Sequence, residues 1–238
     1  MPSGILSAAL LLVAWLISLF SLLPLDLSQG PMWLVPLMVG VRTALQTGLF
    51  ITAHDAMHGH LFPSSPRLNH LLGAMLLFLY AGLPYRSCWR KHQRHHWRPG
   101  SHLDPDFCCD QAAGIIGWYR RFMAGYLSLA QMMRLLSLWL VLALLISFRH
   151  PNGWINLVVV CILPLLLSSL QLFVFGTYLP HRNQQQPGCL EGPLTLAMPA
   201  WLSLLACFHF GYHREHHDHP ELAWFQLPAE HRRTLALS

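Results

Sequence analysis

His213-Arg-Glu-His216-His217 and, far upstream, His92-Gln-Arg-His95-His96 are two copies of one pattern, HxxHH, and their reading decides the fold. On a helix of about 3.6 residues per turn, positions i, i+3 and i+4 fall within an arc of roughly 100°, so each copy is expected to aim its imidazoles at one point. A third element, His54-Asp-Ala-Met-His58, puts two more histidines on one helical face. Neutral imidazole is the commonest side-chain metal ligand, and the eight histidines of these boxes exceed what one tetrahedral or octahedral ion takes up. Two metal ions are the economical reading. A single HxxHH would not separate this from a loose His-rich tract or from histidines gathered at a membrane interface. Two copies plus HxxxH, each beside an apolar segment, favour the metal reading.

Of 238 residues, 54% are hydrophobic and 11% charged, against about 25% charged in a soluble domain. The chain reads as an all-α integral membrane protein, and as a single domain over residues 1–238, because no linker, low-complexity tract or longer repeat divides it. The six cysteines (Cys88, Cys108, Cys109, Cys161, Cys189, Cys207) show no CxxC and no framework spacing, so reduced thiols are expected. The net charge of +5 comes from basic residues that flank apolar segments. The expected partner is therefore the lipid bilayer and not nucleic acid.

Four runs have the length needed to cross about 30 Å of hydrocarbon: Gly4 to Leu23, Pro31 to Ala53, Gly125 to Phe148 and Trp154 to Leu179. The first lacks the basic start and cleavage site of a signal peptide and is kept as a span. Arg42 and Gln46 lie inside the second and are expected to face the bundle, since a charge at that depth is costly. Asn69 to Pro84 lies between the first two boxes. If it crossed once, those boxes would sit on opposite faces, so it is expected to be interfacial or re-entrant; Thr195 to Phe210 faces the same parity problem. The segment with Trp118, Tyr119, Arg120 and Arg121 reads as an amphipathic interfacial helix. The sum is four transmembrane helices as two hairpins joined by the Arg149-His-Pro-Asn-Gly turn and its counterpart, with interfacial helices and a His-box cap on one side. The two turns opposite the cap hold only Arg149, whereas the cap side holds Arg67, Arg86, Arg90, Lys91, Arg94, Arg98, Arg120, Arg121, Arg182, Arg214, Arg232 and Arg233. By the positive-inside rule the boxes are cytoplasmic.

A histidine-held metal pair at a cytoplasmic membrane face suits iron, with O2 as oxidant and electrons from a soluble protein, although spacing does not exclude zinc. Against zinc hydrolysis, HExxH is missing: Asp55 stands where that motif has its Glu. Asp55, Glu215 and Asp218 are placed to accept from ring N–H groups of ligating histidines, with solvated surface acids as the alternative for the last two. His181 ends the fourth span at the depth where the first box ends the second span. His60, His70, His102, His150, His209, His219 and His231 fall outside the boxes and are expected to be mostly solvent-facing or hydrogen-bonded, with His150 on the opposite side.

His54-Asp-Ala-Met-His58-Gly, Lys91-His-Gln-Arg-His-His96 followed by Pro99-Gly100 and Asp104-Pro-Asp106-Phe107, Phe175-Gly-Thr-Tyr-Leu-Pro-His181-Arg, and Phe208-His-Phe-Gly-Tyr-His213 through Trp224 to Pro228 together resemble the bacterial-type β-carotene ketolases. These are small members of the membrane fatty acid desaturase and hydroxylase superfamily. The likeness runs from about Thr47 to Pro228, with Trp224-Phe225 where paired tryptophans are expected.

The resemblance implies a non-haem di-iron monooxygenase of carotenoid biosynthesis. Two hydroxylations of the ring carbon-4 methylene, then loss of water, would take β-carotene through echinenone to canthaxanthin. It implies two iron ions, O2 as co-substrate and an external electron donor of the ferredoxin kind. The implied ligands are His54, His58, His92, His95, His96, His213, His216 and His217, with His181 as an extra one. The acids assigned to catalysis are Asp55 and Asp104, the latter either capping a turn or holding a ligand ring in register. A polyene entering from the bilayer would pass aromatic walls such as Phe173, Phe175, Tyr178 and Phe210. The alternative within enzymes is a fatty-acyl or carotenoid-ring hydroxylase or desaturase with the same metal core. A histidine-relay metal transporter is disfavoured, because the spans are nearly free of His, Asp and Glu.

Overall fold

The computed structural model describes residues 4–27, 30–108, 110–148, 153–185 and 192–237. Its helices are α1 (Gly4–Leu22), α2 (Leu34–Met57), α3 (Pro66–Ala81), α4 (Tyr85–Trp97), α5 (Gly114–Tyr126), α6 (Leu129–Ser147), α7 (Gly153–His181), α8 (Ala200–Cys207), α9 (His213–Asp218) and α10 (Leu227–Leu237). Among the described residues the only β contact is an isolated antiparallel bridge between Thr195 and Tyr212.

Four helices, α1, α2, α6 and α7, are long and apolar enough to cross a membrane. At 1.5 Å per residue the 19-residue α1 and α6 reach about 28 Å, just enough for the hydrocarbon. The 24-residue α2 and 29-residue α7 reach roughly 36 and 43 Å. Their surplus turns carry His54 and His181 beyond the apolar layer, so helix length itself lifts part of the site to one face.

Helix α2 is the centre of the bundle and packs against α1, α3 and α7. Its buried polar residues make the joints. Arg42, 1% exposed, donates through Nη1 to Trp15 O (2.9 Å) and Ser18 Oγ (2.8 Å) on α1, and through Nε to Val160 O (2.9 Å) on α7. Proline supplies that last acceptor. Helix α7 widens into π turns at Val158–Ile162 and Val174–Tyr178, each ending two residues before a proline, Pro164 or Pro180. A proline leaves the carbonyl four residues back without its helical donor, and for Pro164 that carbonyl is Val160's. Gln46 joins α1 to α3, accepting from Trp15 Nε1 (2.7 Å) and donating to Tyr80 O. Arg42 and Gln46 therefore face the bundle, in a structural role.

The segment between the first two boxes is the 16-residue α3, about 24 Å long and short of a bilayer crossing. Gly82 takes a left-handed φ of 64° at its end, and α4 leaves at 101° to it. Asn69 fixes where α3 begins: Nδ2 donates to Ala56 O (2.7 Å), and Oδ1 accepts from Leu61 N (3.1 Å) and Phe62 N (3.3 Å). The eight-residue α8, about 12 Å, does not cross either.

Two boundaries differ from expectation. The run from Gly125 is split, because Ser128 and Gln131 form a reciprocal capping box that starts α6 at Leu129. The second span ends at Met57 and not at Ala53, with His54 in the last turn of α2 and His58 at its C-cap, in keeping with the helical-face reading of HxxxH. Cys88, Cys161 and Cys207 are free thiols. The turn at residues 149–152 with its His150, and also Cys109 and Cys189, lie outside the described residues.

Candidate metal centre

The three boxes and His181 converge in two groups. One holds His54, His58, His92, His96 and His216; the other holds His95, His181, His213 and His217; within each, one nitrogen per ring lies within 4.8 Å of all the others. The expectation that each HxxHH aims at a single point is corrected. Positions i+3 and i+4 project about 100° apart on a helix, so neighbouring histidines diverge. Helix α4 sends His92 and His96 to the first group and His95 to the second, and α9 divides the opposite way. Helix α2 adds its pair to the first group only and α7 adds His181 to the second only.

The rings meet nitrogen to nitrogen. Nε2–Nε2 distances are 2.7 Å for His58–His92 and 2.9 Å for His96–His216 in the first group. In the second they are 2.9 Å for His181–His213, 3.0 Å for His95–His217 and 3.1 Å for His213–His217. His95 Nδ1 stands 3.0 Å from both oxygens of Asp104, an acceptor-only group, so its proton sits on Nδ1 and Nε2 turns a lone pair inward. His217 Nε2 then faces two other ring nitrogens with at most one proton to share. Lone pairs crowded in this way suit a cation among them, and an all-imidazole donor set fits a late first-row ion such as iron or zinc. Burial, then repulsion among neighbouring imidazoles, holds His92, His96, His213, His216 and His217 below the ordinary histidine range, His96 at about 2. Burial, then His60, takes His58 to about 3. These rings stay neutral, the form that ligates.

The acids divide by role. Asp104, 5% exposed, faces His95 and also accepts from Gly100 N and Asp106 N, both at 2.9 Å, so it closes its own turn while holding a ring. Burial works against both partners, but their hydrogen bond and mutual charge win: His95 is raised and Asp104 lowered. Asp55 does not hold a ring. It lies 3.9 Å from His54 Nδ1 and accepts instead from Trp224 N at 3.3 Å, because the next residue on a helix points to a different face. Glu215 is buried and is neither a surface acid nor a brace for a box histidine; it meets His231 Nδ1 at 2.6 Å and Thr195 Oγ1, tying α9 to α10. Asp218 is exposed.

Asp106 and Tyr126 escaped the sequence reading. Tyr126 donates to Asp106 Oδ1 at 2.5 Å beside His95 and Asp104. Burial pushes the Asp106 carboxyl up, and burial with the Asp106 charge pushes the Tyr126 hydroxyl up. The repeated acid in Asp-Pro-Asp was the available signal.

An apolar cavity of about 320 Å³ runs up to the histidines. Met132, Leu135, Leu136 and Trp139, on one face of α6, line its outer part, and His54, His92, His95 and His213 line its inner end. Met132 and Leu136 remain 41% and 49% exposed, so the mouth lies at the lipid-facing surface of α6. Of the expected aromatic walls only Phe210 borders the cavity. Phe173 is fully buried in packing with Trp118, Tyr119, Phe122 and Tyr178, and Phe175 packs against the main core. Phe210 gets there by a tight reversal: Phe208 and His209 take left-handed φ values of 47° and 67°, uncommon outside glycine. Its ring then lies 4.6 Å from His54, edge-on, and 5.7 Å from His216, stacked. His209 is itself buried with Nδ1 unpaired among the described residues, unlike His70, which contacts Tyr85 Oη at 3.2 Å, and His102, which is exposed.

Fold and site together define a multi-pass membrane protein with paired polyhistidine centres at one face. A model of the fatty acid desaturase family matches residues 29–129 and 107–237. Two β-carotene ketolases from Paracoccus strains are 40% and 39% identical, over 96% and 94% of this chain and 95% and 89% of their own. A zeaxanthin 4-ketolase of Chlamydomonas reinhardtii is 37% identical over 77% of this chain and 41% of its own length. The chain belongs to the fatty acid desaturase family, in the branch that holds the bacterial-type β-carotene ketolases.

Proposed function

We propose that the protein is a carotenoid 4-ketolase, a non-haem di-iron monooxygenase that oxidises the carbon-4 methylene of a β-ring to a ketone. The observation that carries this reading is the meeting of two imidazole groups with the inner end of a lipid-facing apolar cavity; the names of the relatives supply the substrate class. Iron held by His54, His58, His92, His96 and His216, and by His95, His181, His213 and His217, would supply activation of O2 for attack on the allylic C–H bond of carbon 4. Overall, two rounds each consume one O2, two electrons and two protons and release one water, and the resulting geminal diol loses water to leave the ketone.

The chain's own residues bind, orient and exclude. Burial keeps the imidazoles neutral and ready to ligate, and Asp104 fixes the tautomer and angle of His95. The α6 face and Phe210 wrap the ring in apolar surface, so the polyene stays in the bilayer while the ring end meets the histidines. The excess of Arg and Lys on the cap side supports a cytoplasmic site, within reach of a soluble electron carrier. Expression in cells that make β-carotene tests the activity: echinenone and canthaxanthin are expected. Ring-hydroxylated products without ketone would reassign the enzyme to the hydroxylases.

A further inference from the structure

Helix α4 has a second face. Arg86, Arg90, Arg94 and Arg98 recur every fourth residue and are all exposed. Arg86, Arg90 and Arg94 sweep an arc of roughly 80° turned away from His92 and His95, and Arg98 follows at the C-cap. Among the described residues the only arginine–carboxylate pair is Arg233–Glu230, so no acid compensates this row. Like charges four apart on a helix destabilise it, and this helix stacks two such steps in succession, with a fourth arginine at its C-cap. A complementary surface relieves that repulsion.

The direction of the face argues for protein over lipid. Trp89 Nε1 and Gln93 Nε2 donate to Met57 O, at 3.1 and 3.3 Å, so α4 lies across the end of α2 where that helix leaves the membrane. Tyr85 and Cys88 are buried in the core shared with α2 and α3. A helix lying on lipid needs a broad free apolar face; α4 turns Tyr85, Cys88 and Trp89 to the protein and leaves only Trp97, 71% exposed, outside it, with the Arg98 guanidinium 4.4 Å over its ring. The arginines therefore look into water, one helix thickness from the imidazoles.

We propose that the arginine face of α4 is the docking surface for the electron donor, a small acidic iron–sulfur protein. This rests on the oxygenase reading above. Each ring hydroxylation then takes two electrons from two one-electron oxidations of the carrier's cluster, with O2 and two protons; one oxygen atom enters the substrate and the other leaves as water.

The test uses the full-length, iron-loaded protein in nanodiscs, supplied with carotenoid, plant-type [2Fe–2S] ferredoxin, its reductase and NADPH. For Arg90→Glu/Arg94→Glu the KM for ferredoxin is expected to rise on the order of tenfold or more, and for Arg90→Gln/Arg94→Gln by about threefold. Iron content, carotenoid KM and ketone yield with a small-molecule reductant stay at the wild-type level. Added salt slows the wild type more than the reversed variant. If the Glu pair loses iron, the Gln pair carries the test. An unchanged ferredoxin KM in iron-replete variants overturns the proposal. So does a rate that follows the anionic-lipid content of the nanodisc and not ferredoxin, which would mark a headgroup surface. A wild type that makes no ketone even with the small-molecule reductant overturns the oxygenase reading itself.

Discussion

The group of five histidines and the group of four share α4 and α9, but α2 enters only the first and α7 only the second. Their supports differ in kind. In the group of four, His95 is held by a buried carboxylate, Asp104, at 3.0 Å. In the group of five, His54 Nδ1 has no hydrogen-bond partner among the described residues, and the ring is held by packing, with the edge of Phe210 at 4.6 Å. One centre has a spare ligand and an apolar brace, the other has no spare and a polar one. The lesson is that two sites made from near-identical sequence boxes can be stiffened by different forces, so they should fail differently.

The largest expected effect does not distinguish them. Alanine at His92 in the first group or His217 in the second should abolish ketone formation, a loss beyond about a thousandfold, because the proposed di-iron chemistry needs both centres. His102→Ala, on an exposed loop, should leave activity at the wild-type level. Product analysis in carotenoid-making cells reads this, and ketone from either ligand variant would break the pairing of the two groups.

The acids sharpen the contrast. Asp104→Asn should cost roughly 10- to 100-fold in activity or metal affinity, the usual size for the partner of a ligating ring. Asp55→Ala removes only an acceptor from Trp224 N and should change the rate less than about threefold while lowering stability by about 1 kcal/mol. Equal losses from the two would erase the distinction between ring-holding and segment-holding carboxylates.

Protons give a smaller effect with a defined sign. In the unfolded chain these histidines protonate near 6.5, but in the fold His58 does so at about 3 and His96 at about 2. Between those limits the unfolded state binds more protons, so the metal-free protein loses stability as pH falls from about 7 towards 4. His95 opposes the trend: its raised proton affinity contributes stability below its unfolded value, and this is lost as pH rises through its folded value. Thermal unfolding of metal-free protein at pH 7 and pH 5 should show the lower midpoint at pH 5, and Asp104→Asn should steepen the fall. A higher midpoint at pH 5 would contradict the neutral state of the rings.

Much of this was legible from short-range pattern. Spans announce themselves by apolar length, and the parity of the boxes forced α3 and α8 to stay on one side. Which histidine joins which group was not legible, since HxxHH specifies a face and the crossing of α4 over α2 decides how that face is divided. The cavity wall was also misread. Aromatics near His181 drew attention to Phe173, yet the wall comes from Met132, Leu135, Leu136 and Trp139, which at helical spacing read as ordinary lipid-facing residues. Asn69 and Asp106 act through contacts that only the reversal between α2 and α3 and the turn at Asp104 create.

The central claim, one iron ion in each imidazole group, is tested most directly by metal analysis of purified protein alongside His181→Ala and His58→Ala. Two irons per chain are expected for the wild type, falling towards one for His181→Ala, whose group is left with three imidazoles, and staying nearer two for inactive His58→Ala, whose group keeps four. A single zinc per chain, or an iron content that His181→Ala leaves at two while His58→Ala lowers it, would contradict the account.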